Sequence, residues 1–334
     1  MLFRSVTPEE LLENIPELAD IAQIECEKVA AMFSEDVQPL HYPLMASKIK
    51  QAVQDGVDGI VLTHGTDTMH YTSSALSFLC ESLPIPVVIA GAQRSSDRAS
   101  SDSALNLICA VTFASRADCS GVFVCMHGSS SDDFCFIHNG VAVRKMHTSR
   151  RDAFRSINSE PVAKVFPPGK IEMLSKTNNR DKKRKPVIYD KIEPEVALLK
   201  MHPGVNPALI DFLVSKGCRG IVIEGTGLGH TPFNKHDALS ARNGEMKNAI
   251  SRACAKIPVV MTSQCIFGSV NMNVYSTGRD LQVIGVIPGG DMLPEAALTK
   301  LMWAIANFPK DVKKKMQENL HGELSGRTTI GEFL

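Results

Sequence analysis

Short apolar runs that alternate with helix-like segments are the feature that most constrains how this chain folds. Three such runs in the first half have the length and composition of buried strands, at residues 57–63, 86–91 and 121–126. The segments between them, residues 68–82 and 101–115, carry helical spacing and are rich in Ala, Leu and Ser. This alternation predicts βαβ units, in which helices cover both faces of a mostly parallel, doubly wound sheet.

The same alternation restarts in the second half and predicts a smaller second α/β domain. We expect four strands and three helices there: strands at 195–201, 220–224, 258–262 and 283–287, and helices at 206–217, 237–254 and 294–307. Residues 168–193 are polar and basic, as expected of a connection. We therefore expect an N-terminal domain over residues 1–170, a linker over 171–194 and a C-terminal domain over 195–334.

Two local signals predict particular loops. Asn139-Gly140 lies between two apolar stretches, which is a strong signal for a β-hairpin. The basic run at residues 180–185 offers positive charge to RNA, but a solvated loop is the favoured interpretation. Lys plus Arg equals Asp plus Glu at 36 each, which argues against a chain that grips nucleic acid by itself.

Composition and spacing exclude several kinds of site. The nine cysteines include no CxxC pair, which indicates reduced, buried thiols rather than a disulfide framework or a zinc site. No HxH or HExxH spacing and no P-loop lysine motif occurs, so we expect no metal and no ATP on this chain. No apolar run approaches the roughly 20 residues of a membrane span, and the N-terminus lacks a signal peptide's apolar core. We expect a cytoplasmic protein.

The sequence His64-Gly65-Thr66-Asp67-Thr68 lies where an apolar strand ends and a helix begins. Ligands bind at the carboxyl ends of strands in open α/β sheets, and a helix N-terminus there favours a carboxylate or an oxyanion. Gly65 lets the backbone approach a ligand, Thr66 supplies a hydroxyl and Asp67 a carboxylate. Thr66 or Asp67 could equally cap the helix, and the residues alone leave both interpretations open.

Lys145 is a candidate base for such a hydroxyl, because a desolvated lysine held by a carboxylate can exchange a proton with a threonine. From the sequence alone, a surface lysine is the favoured interpretation. The segment HGTDTMHYTSSALSFL, residues 64–79, resembles the second signature of the asparaginase/glutaminase family. In that family the threonine and aspartate of the signature work with a lysine, and Thr66, Asp67 and Lys145 match those positions.

Two residues are expected to bind substrate, Ser34 from the resemblance and Gly65 because its backbone can approach a ligand. Ser34, in Phe33-Ser34-Glu35-Asp36, resembles the family's serine, or its neighbourhood, that binds the substrate's α-carboxylate. Gly65 is expected to bind substrate beside it. No metal is implied.

Several long motifs resemble one branch of the family, the glutaminase (D) subunits of archaeal tRNA-dependent amidotransferases. These motifs are GAQRSSDRASSDSALNL (91–107), VRKMHTSRRDAFRSIN (143–158), KMHPGVNP (200–207), EGTGLGHTP (224–232) and GGDMLPEAALTKLMW (289–303). The resemblance covers nearly the whole chain. It implies the family's two-domain α/β fold, a homodimer, and release of ammonia from glutamine or asparagine.

The same branch implies a partner. An amidotransferase E subunit would use ATP and Mg²⁺ and the released ammonia to convert Glu-tRNA(Gln) to Gln-tRNA(Gln), and tRNA would meet this chain only through that partner. A free cytosolic L-asparaginase is the alternative within enzymes. A catalytically inactive scaffold subunit is the alternative outside them.

The family's first signature, T-G-G-T-I, has no counterpart in this sequence. Its last threonine is generally taken as the nucleophile. The first threonine here, Thr7, precedes Pro8 and is interpreted as a helix N-cap. Three interpretations follow: a fragment of an active enzyme, one half of a split protein, or a pseudoenzyme.

Overall fold

A computed structural model describes residues 13–94 and 99–326. The chain divides into two compact units, Met1–Asp190 and Lys191–Leu334. Both contain a β-sheet with helices packed against it, so the predicted two-domain α/β architecture is confirmed. The helix start expected at Thr7 lies outside the described residues.

The first unit is built on a six-stranded sheet in the order β1-β3-β4-β5-β8-β9. Its strands and helices are β1 (Ile60–Thr63), β2 (Cys80–Glu81), β3 (Pro86–Ala90), β4 (Gly121–His127), β5 (Cys135–Asn139), β6 (Val143–Lys145), β7 (Phe154–Ser156), β8 (Ala163–Phe166), β9 (Lys170–Met173), β10 (Val187–Ile188), α1 (His41–Gln54), α2 (Met69–Leu79) and α3 (Ser103–Arg116). Strands β1, β3 and β4 pair in parallel, and β5, β8 and β9 continue the sheet antiparallel.

The parallel strands follow from their composition. Every residue of β3, PVVIA, is buried, as expected of a strand covered on both faces. Helix α3 packs against β3 and β4, and α2 packs against β4. This arrangement brings the carboxyl ends of β1, β3 and β4 to one edge of the sheet, where the following loops can meet.

The hairpin predicted at Asn139-Gly140 is wrong. Strand β5 pairs with β4 and β8, whereas β6, after the turn, pairs with β7 in a separate two-stranded sheet. Gly140 donates its N–H to the carbonyl of Val122, and a Cβ on Gly140 would lie 2.9 Å from that oxygen and 3.0 Å from Ser77 Oγ. The glycine is therefore explained by close tertiary packing, which redirects the chain out of the sheet.

Two arginines of the basic run at residues 180–185 bind other parts of the protein instead of facing solvent. Arg180 donates to the backbone carbonyls of Ala114 and Ala117 at the end of α3, at 2.8 and 2.9 Å. Arg184 donates to Ser120 Oγ at 2.8 Å and to the carbonyl of Leu83 at 3.1 Å. These arginines fasten residues of the predicted linker to the first unit.

The second unit contains a four-stranded parallel sheet in the order β11-β12-β13-β14. Its strands and helices are β11 (Val196–Lys200), β12 (Gly220–Gly225), β13 (Val259–Ser263), β14 (Ile287–Pro288), α4 (Ala208–Ser215), α5 (Ala241–Cys254), α6 (Ser276–Val283), α7 (Pro294–Asn307) and α8 (Val312–Gln317). Helix α6 was not expected from the sequence. Its last residue, Val283, is the residue at which the fourth strand was predicted to begin.

Candidate active site

The turn formed by residues 64–68 lies at the carboxyl end of β1. His64 donates its backbone N–H to the carbonyl of Ala90, at 2.8 Å, which ties the turn to the end of the neighbouring strand β3. Helix α2 follows with Thr68 as its N-cap, and no side chain caps that helix. Thr66 and Asp67 therefore do not serve as helix caps, which was one of the two interpretations open from the sequence.

Thr66, Asp67 and Lys145 converge at this turn. Lys145 Nζ lies 2.8 Å from Thr66 Oγ1 and 2.6 Å from Asp67 Oδ1, and both contacts join residues nearly 80 positions apart in the chain, with separations of 79 and 78. Thr66 is buried, and the Lys145 side chain is only 10% exposed, whereas the Asp67 side chain is 64% exposed. Lys145 Nζ thus lies between a buried hydroxyl and a carboxylate that faces solvent.

Ser34 supports the turn from the side. It is buried within the one-turn 3₁₀ helix Ser34–Asp36, and its Oγ accepts the backbone N–H of Asp67 at 3.2 Å. Its carbonyl accepts the hydroxyl of Thr68 at 2.6 Å. A Cβ on Gly65 would lie 2.8 Å from Ser34 Cβ, closer than such atoms pack. Glycine at this position is therefore required by the approach of Ser34.

His64 holds the same turn through its ring, although the sequence alone gave it no separate role. Its Nδ1 lies 2.6 Å from the Gly65 carbonyl, and its Nε2 lies 2.9 Å from Thr72 Oγ1. Burial lowers the pKa of His64 below its usual value of 6.5. A neutral ring that donates from Nδ1 and accepts at Nε2 satisfies both contacts. The eight-residue separation of His64 and Thr72 carries no recognisable sequence signal.

Comparison with family models covers both units. The model described as "Asparaginase, N-terminal" matches residues 2–179, and "Glutaminase/Asparaginase C-terminal domain" matches residues 195–318. The chain belongs to the asparaginase/glutaminase family. The family recognised from the signature at residues 64–79 is therefore confirmed.

Curated relatives within the family are considerably similar to this chain. The D subunit of the glutamyl-tRNA(Gln) amidotransferase of Pyrococcus abyssi is 47% identical over 100% of this chain and 74% of its own length. The protein of the same name from Thermococcus kodakarensis is 48% identical over 98% of this chain and 72% of its own length. These names confirm the expected branch of the family.

Solved structures in the family agree on the fold. The thermostable L-asparaginase from Thermococcus kodakarensis superimposes with a TM-score of 0.84 at 33% identity, covering 96% of this chain and 92% of that one. L-asparaginase I from Vibrio cholerae gives a TM-score of 0.79 at 29% identity, covering 95% and 92%. The two-domain asparaginase fold is thereby confirmed.

All five residues selected from the sequence lie in this one region of the asparaginase-like first unit. Lys145, Thr66 and Asp67 share hydrogen bonds, and Ser34 packs against Gly65 and accepts the backbone N–H of Asp67. Within residues 13–94 and 99–326, no group of three or more His, Cys, Asp or Glu side chains is arranged to hold a metal ion. Over the same residues no helix is long and apolar enough to cross a membrane.

Proposed function

We propose that this chain is the glutaminase subunit of a Glu-tRNA(Gln) amidotransferase, and that Thr66, Asp67 and Lys145 form part of its amide-hydrolysing site. The observation that carries the proposal is the pair of Lys145 contacts, at 2.8 Å to the Thr66 hydroxyl and 2.6 Å to the Asp67 carboxylate. A hydroxyl, a lysine and a carboxylate in direct contact can move a proton to and from a reacting group.

The three residues have distinct parts in the reaction. The attacking group is the hydroxyl of the last threonine in the family's T-G-G-T-I signature, not that of Thr66. This hydroxyl attacks the side-chain amide carbon, the C–N bond breaks, and ammonia leaves. Thr66 orients the attacking group and relays its proton to Lys145, and the Asp67 carboxylate stabilises the Lys145 ammonium so formed. Lys145 then returns that proton to the departing nitrogen, which leaves as ammonia. Water then hydrolyses the acyl-enzyme to glutamate or aspartate.

Ser34, Gly65 and the exposed face of Asp67 form the substrate-binding side of the site. Ser34 and Asp67 are already joined through the backbone N–H of Asp67, so a substrate α-carboxylate at Ser34 would lie beside the Asp67 carboxylate that receives the α-amino group. The exposure of Asp67, at 64% of its side chain, leaves an oxygen accessible to that amino group.

The partner assignment extends the same proposal. Relatives that align with 100% of this chain carry the name of an amidotransferase D subunit, and a subunit requires a complex. The complex would contain an E subunit that uses ATP and Mg²⁺ and receives the ammonia, a homodimer of this chain, and tRNA bound only through the E subunit. Nine free cysteines suit the reducing cytoplasm.

Ammonia release from L-glutamine and L-asparagine tests the site. The chain is compared with an extended chain, defined as the same sequence preceded by a segment that carries the family's T-G-G-T-I signature. Activity in the extended chain alone is expected, because the attacking threonine would then come from that signature. Equal activity in both chains would contradict the role given to Thr66 and make Thr66 or another group the nucleophile.

A free L-asparaginase is the second candidate, favoured by the 33% identity and TM-score of 0.84 to the Thermococcus kodakarensis L-asparaginase. The two functions differ in their response to a partner. Stimulation of glutamine hydrolysis by an E subunit loaded with Glu-tRNA(Gln) supports the amidotransferase. High asparagine hydrolysis that the loaded partner leaves unchanged supports the asparaginase. A Thr66→Ala variant that leaves every activity of the complex intact would instead support a scaffold.

A further inference from the structure

A chain of hydrogen bonds runs beside the candidate site and joins two of its loops. It starts at the loop after β3, where Asp102 accepts the backbone N–H groups of Gln93 at 3.0 Å and Arg94 at 2.8 Å. Asn106, on α3, donates its amide to Asp102 at 3.0 Å and to the carbonyl of Gly91 at 2.8 Å. Asp102 and Asn106 are both fully buried.

His127, the last residue of β4, continues this chain. Its Nδ1 lies 2.6 Å from Asn106 Oδ1, and its Nε2 lies 3.1 Å from Asp132 Oδ1. Arg151 donates to the same oxygen of Asp132 at 2.6 Å and also to the carbonyl of Ser130. The chain of contacts therefore ends in the 146–153 turn, which directly follows Lys145.

The bonding partners decide the protonation of the His127 ring. The Asn106 amide nitrogen donates to oxygens of Gly91 and Asp102 and, at 3.7 Å, to Met126 Sδ, so Asn106 Oδ1 must face His127, and Nδ1 must donate. The Asp132 side chain is 66% exposed and also accepts from Arg151 at 2.6 Å, so it is a carboxylate near neutral pH and Nε2 must donate as well. Only a ring that carries protons on both nitrogens makes both bonds.

Both ends of the chain touch the site. Gly91 packs against the Thr66 turn, since a Cβ there would clash with the His64 carbonyl and lie 3.3 Å from Thr66 Cγ2. At the other end, Met146, next to Lys145, donates its N–H to Ala153 at 2.7 Å within the turn that carries Arg151. The turn at residues 64–68 and the turn at residues 146–153 are thus connected through the buried imidazole of His127.

We propose that His127, with both ring nitrogens protonated, is a positioning residue that joins the loop at residues 91–94 to the turn after Lys145 and so holds Thr66 and Lys145 in the geometry of amide hydrolysis. The inference rests on the proposed function for the reaction it serves. His127 does not touch substrate. Its effect is exerted through Asn106 and Asp132.

The matched control is His138, on the neighbouring strand β5. Both histidines are fully buried, and His138 Nδ1 bonds to Ser156 Oγ at 2.8 Å. This bond joins β5 to β7 and involves neither loop of the site. His127→Gln is therefore compared with His138→Gln. Asp132→Asn provides a second test at an exposed position, because it leaves His127 in place and removes only the carboxylate.

The first readout is spectroscopic and independent of activity. With ¹⁵N-labelled histidine in the chain at neutral pH, both His127 ring nitrogens are expected to carry protons, and Asp132→Asn should remove the one on Nε2. Amide exchange at Gln93, Arg94 and Met146 should become at least about tenfold faster in His127→Gln and stay unchanged in His138→Gln. A singly protonated His127 ring, or equal exchange in the two variants, would overturn the proposal.

The second readout is ammonia release by the extended chain. His127→Gln should lower kcat by about 10- to 100-fold, as expected of a misplaced reacting group, while His138→Gln stays near wild type. Equal kcat values in the two variants would overturn the positioning role. An inactive parent extended chain would contradict the proposed function instead, and the ring protonation and exchange would still decide the His127 inference.

Discussion

Two lysine–carboxylate pairs, one in each unit, have the same length and opposite surroundings. The Nζ–O distance is 2.6 Å in both Lys145–Asp67 and Lys300–Glu323. The side chains of the first pair are 10% and 64% exposed, and those of the second are both 0% exposed. An ion pair's length therefore does not indicate its role, and the accessibility of its carboxylate is the more informative quantity.

The two lysines also differ in the other groups to which they donate hydrogen bonds. Lys145 donates to the hydroxyl of Thr66, a group that can relay a proton. Lys300 donates to the backbone carbonyls of Met316 and Glu318, which take up no proton near neutral pH. The first lysine contacts a group that can exchange a proton, as the proposed site requires, whereas the second joins α7 to the end of α8 and to the segment that follows it.

The largest expected effect in this comparison is on catalysis. Lys145→Met in the extended chain should lower kcat for ammonia release by at least about 100-fold, because the proton acceptor is lost. The free energy of unfolding should change by no more than about 1 kcal/mol, since the abandoned Asp67 faces water. Steady-state kinetics and urea denaturation of the same preparation measure both. A large loss of stability would make this pair structural, like the second.

Lys300→Met should have the opposite profile. Removing the lysine leaves a buried carboxylate without its counter-ion, which costs about 3–5 kcal/mol of unfolding free energy. The kcat of the folded fraction should not change. Lys300→Met combined with Glu323→Gln should be more stable than Lys300→Met alone, because the buried negative charge is then absent. Equal stability of the single and double variants would show that the ion pair is not the source of the loss.

A smaller loss of stability is expected when the close packing of Gly65 against Ser34 is disturbed. Gly65→Ala places a methyl group 2.8 Å from Ser34 Cβ and should cost about 1–3 kcal/mol of stability and reduce ammonia release. Adding Ser34→Gly should restore part of the stability. Gly244→Ala, on α5 in the second unit, meets no atom within 4 Å and should be neutral or stabilising by up to about 1 kcal/mol. Losses of equal size at both glycines would contradict the packing argument.

An effect confined to acidic pH concerns a buried base that lies beside a hydroxyl instead of a carboxylate. Burial, with a smaller contribution from Arg155, lowers the pKa of His138 from 6.5 to about 3. The unfolded chain therefore binds one more proton than the folded chain between these values. This contribution to stability is full above pH 6.5 and falls by about 1.4 kcal/mol per pH unit as the pH drops toward 3. His138→Gln should remove this dependence, measured by denaturation at several pH values, and an unchanged slope would contradict it.

The sequence predicted the parts of the fold that depend on local composition. The buried run PVVIA became β3, and helix α7, Pro294–Asn307, has the bounds expected from its periodicity. The prediction of a hairpin at Asn139-Gly140 was wrong because Gly140 is required by tertiary packing: its N–H donates to the carbonyl of Val122, which is distant in the sequence. Helix α6, Ser276–Val283, was missed because it is short and mostly polar, with Leu281 and Val283 as its only large apolar residues.

In the candidate site, too, the features set by local sequence could be predicted, and those set by tertiary contacts could not. The turn at Thr66 and Asp67 was visible as a strand-to-helix junction, since its chemistry is contiguous in the chain. Lys145 lies 79 residues from Thr66, so only family resemblance could pair the two. The contacts of His64 and His127 depend on tertiary packing and have no sequence signature. Roles for Thr66, Asp67 and Lys145 remain predictions that the proposed measurements address.

Covalent labelling identifies the residue that forms the acyl-enzyme intermediate. The extended chain is treated with 6-diazo-5-oxo-L-norleucine, an electrophilic glutamine analogue, and the labelled residue is located by mass spectrometry, with Lys145→Met as the control. We expect a label on the last threonine of the added T-G-G-T-I signature and its loss in Lys145→Met. A label on Thr66, or undiminished labelling in Lys145→Met, would contradict it.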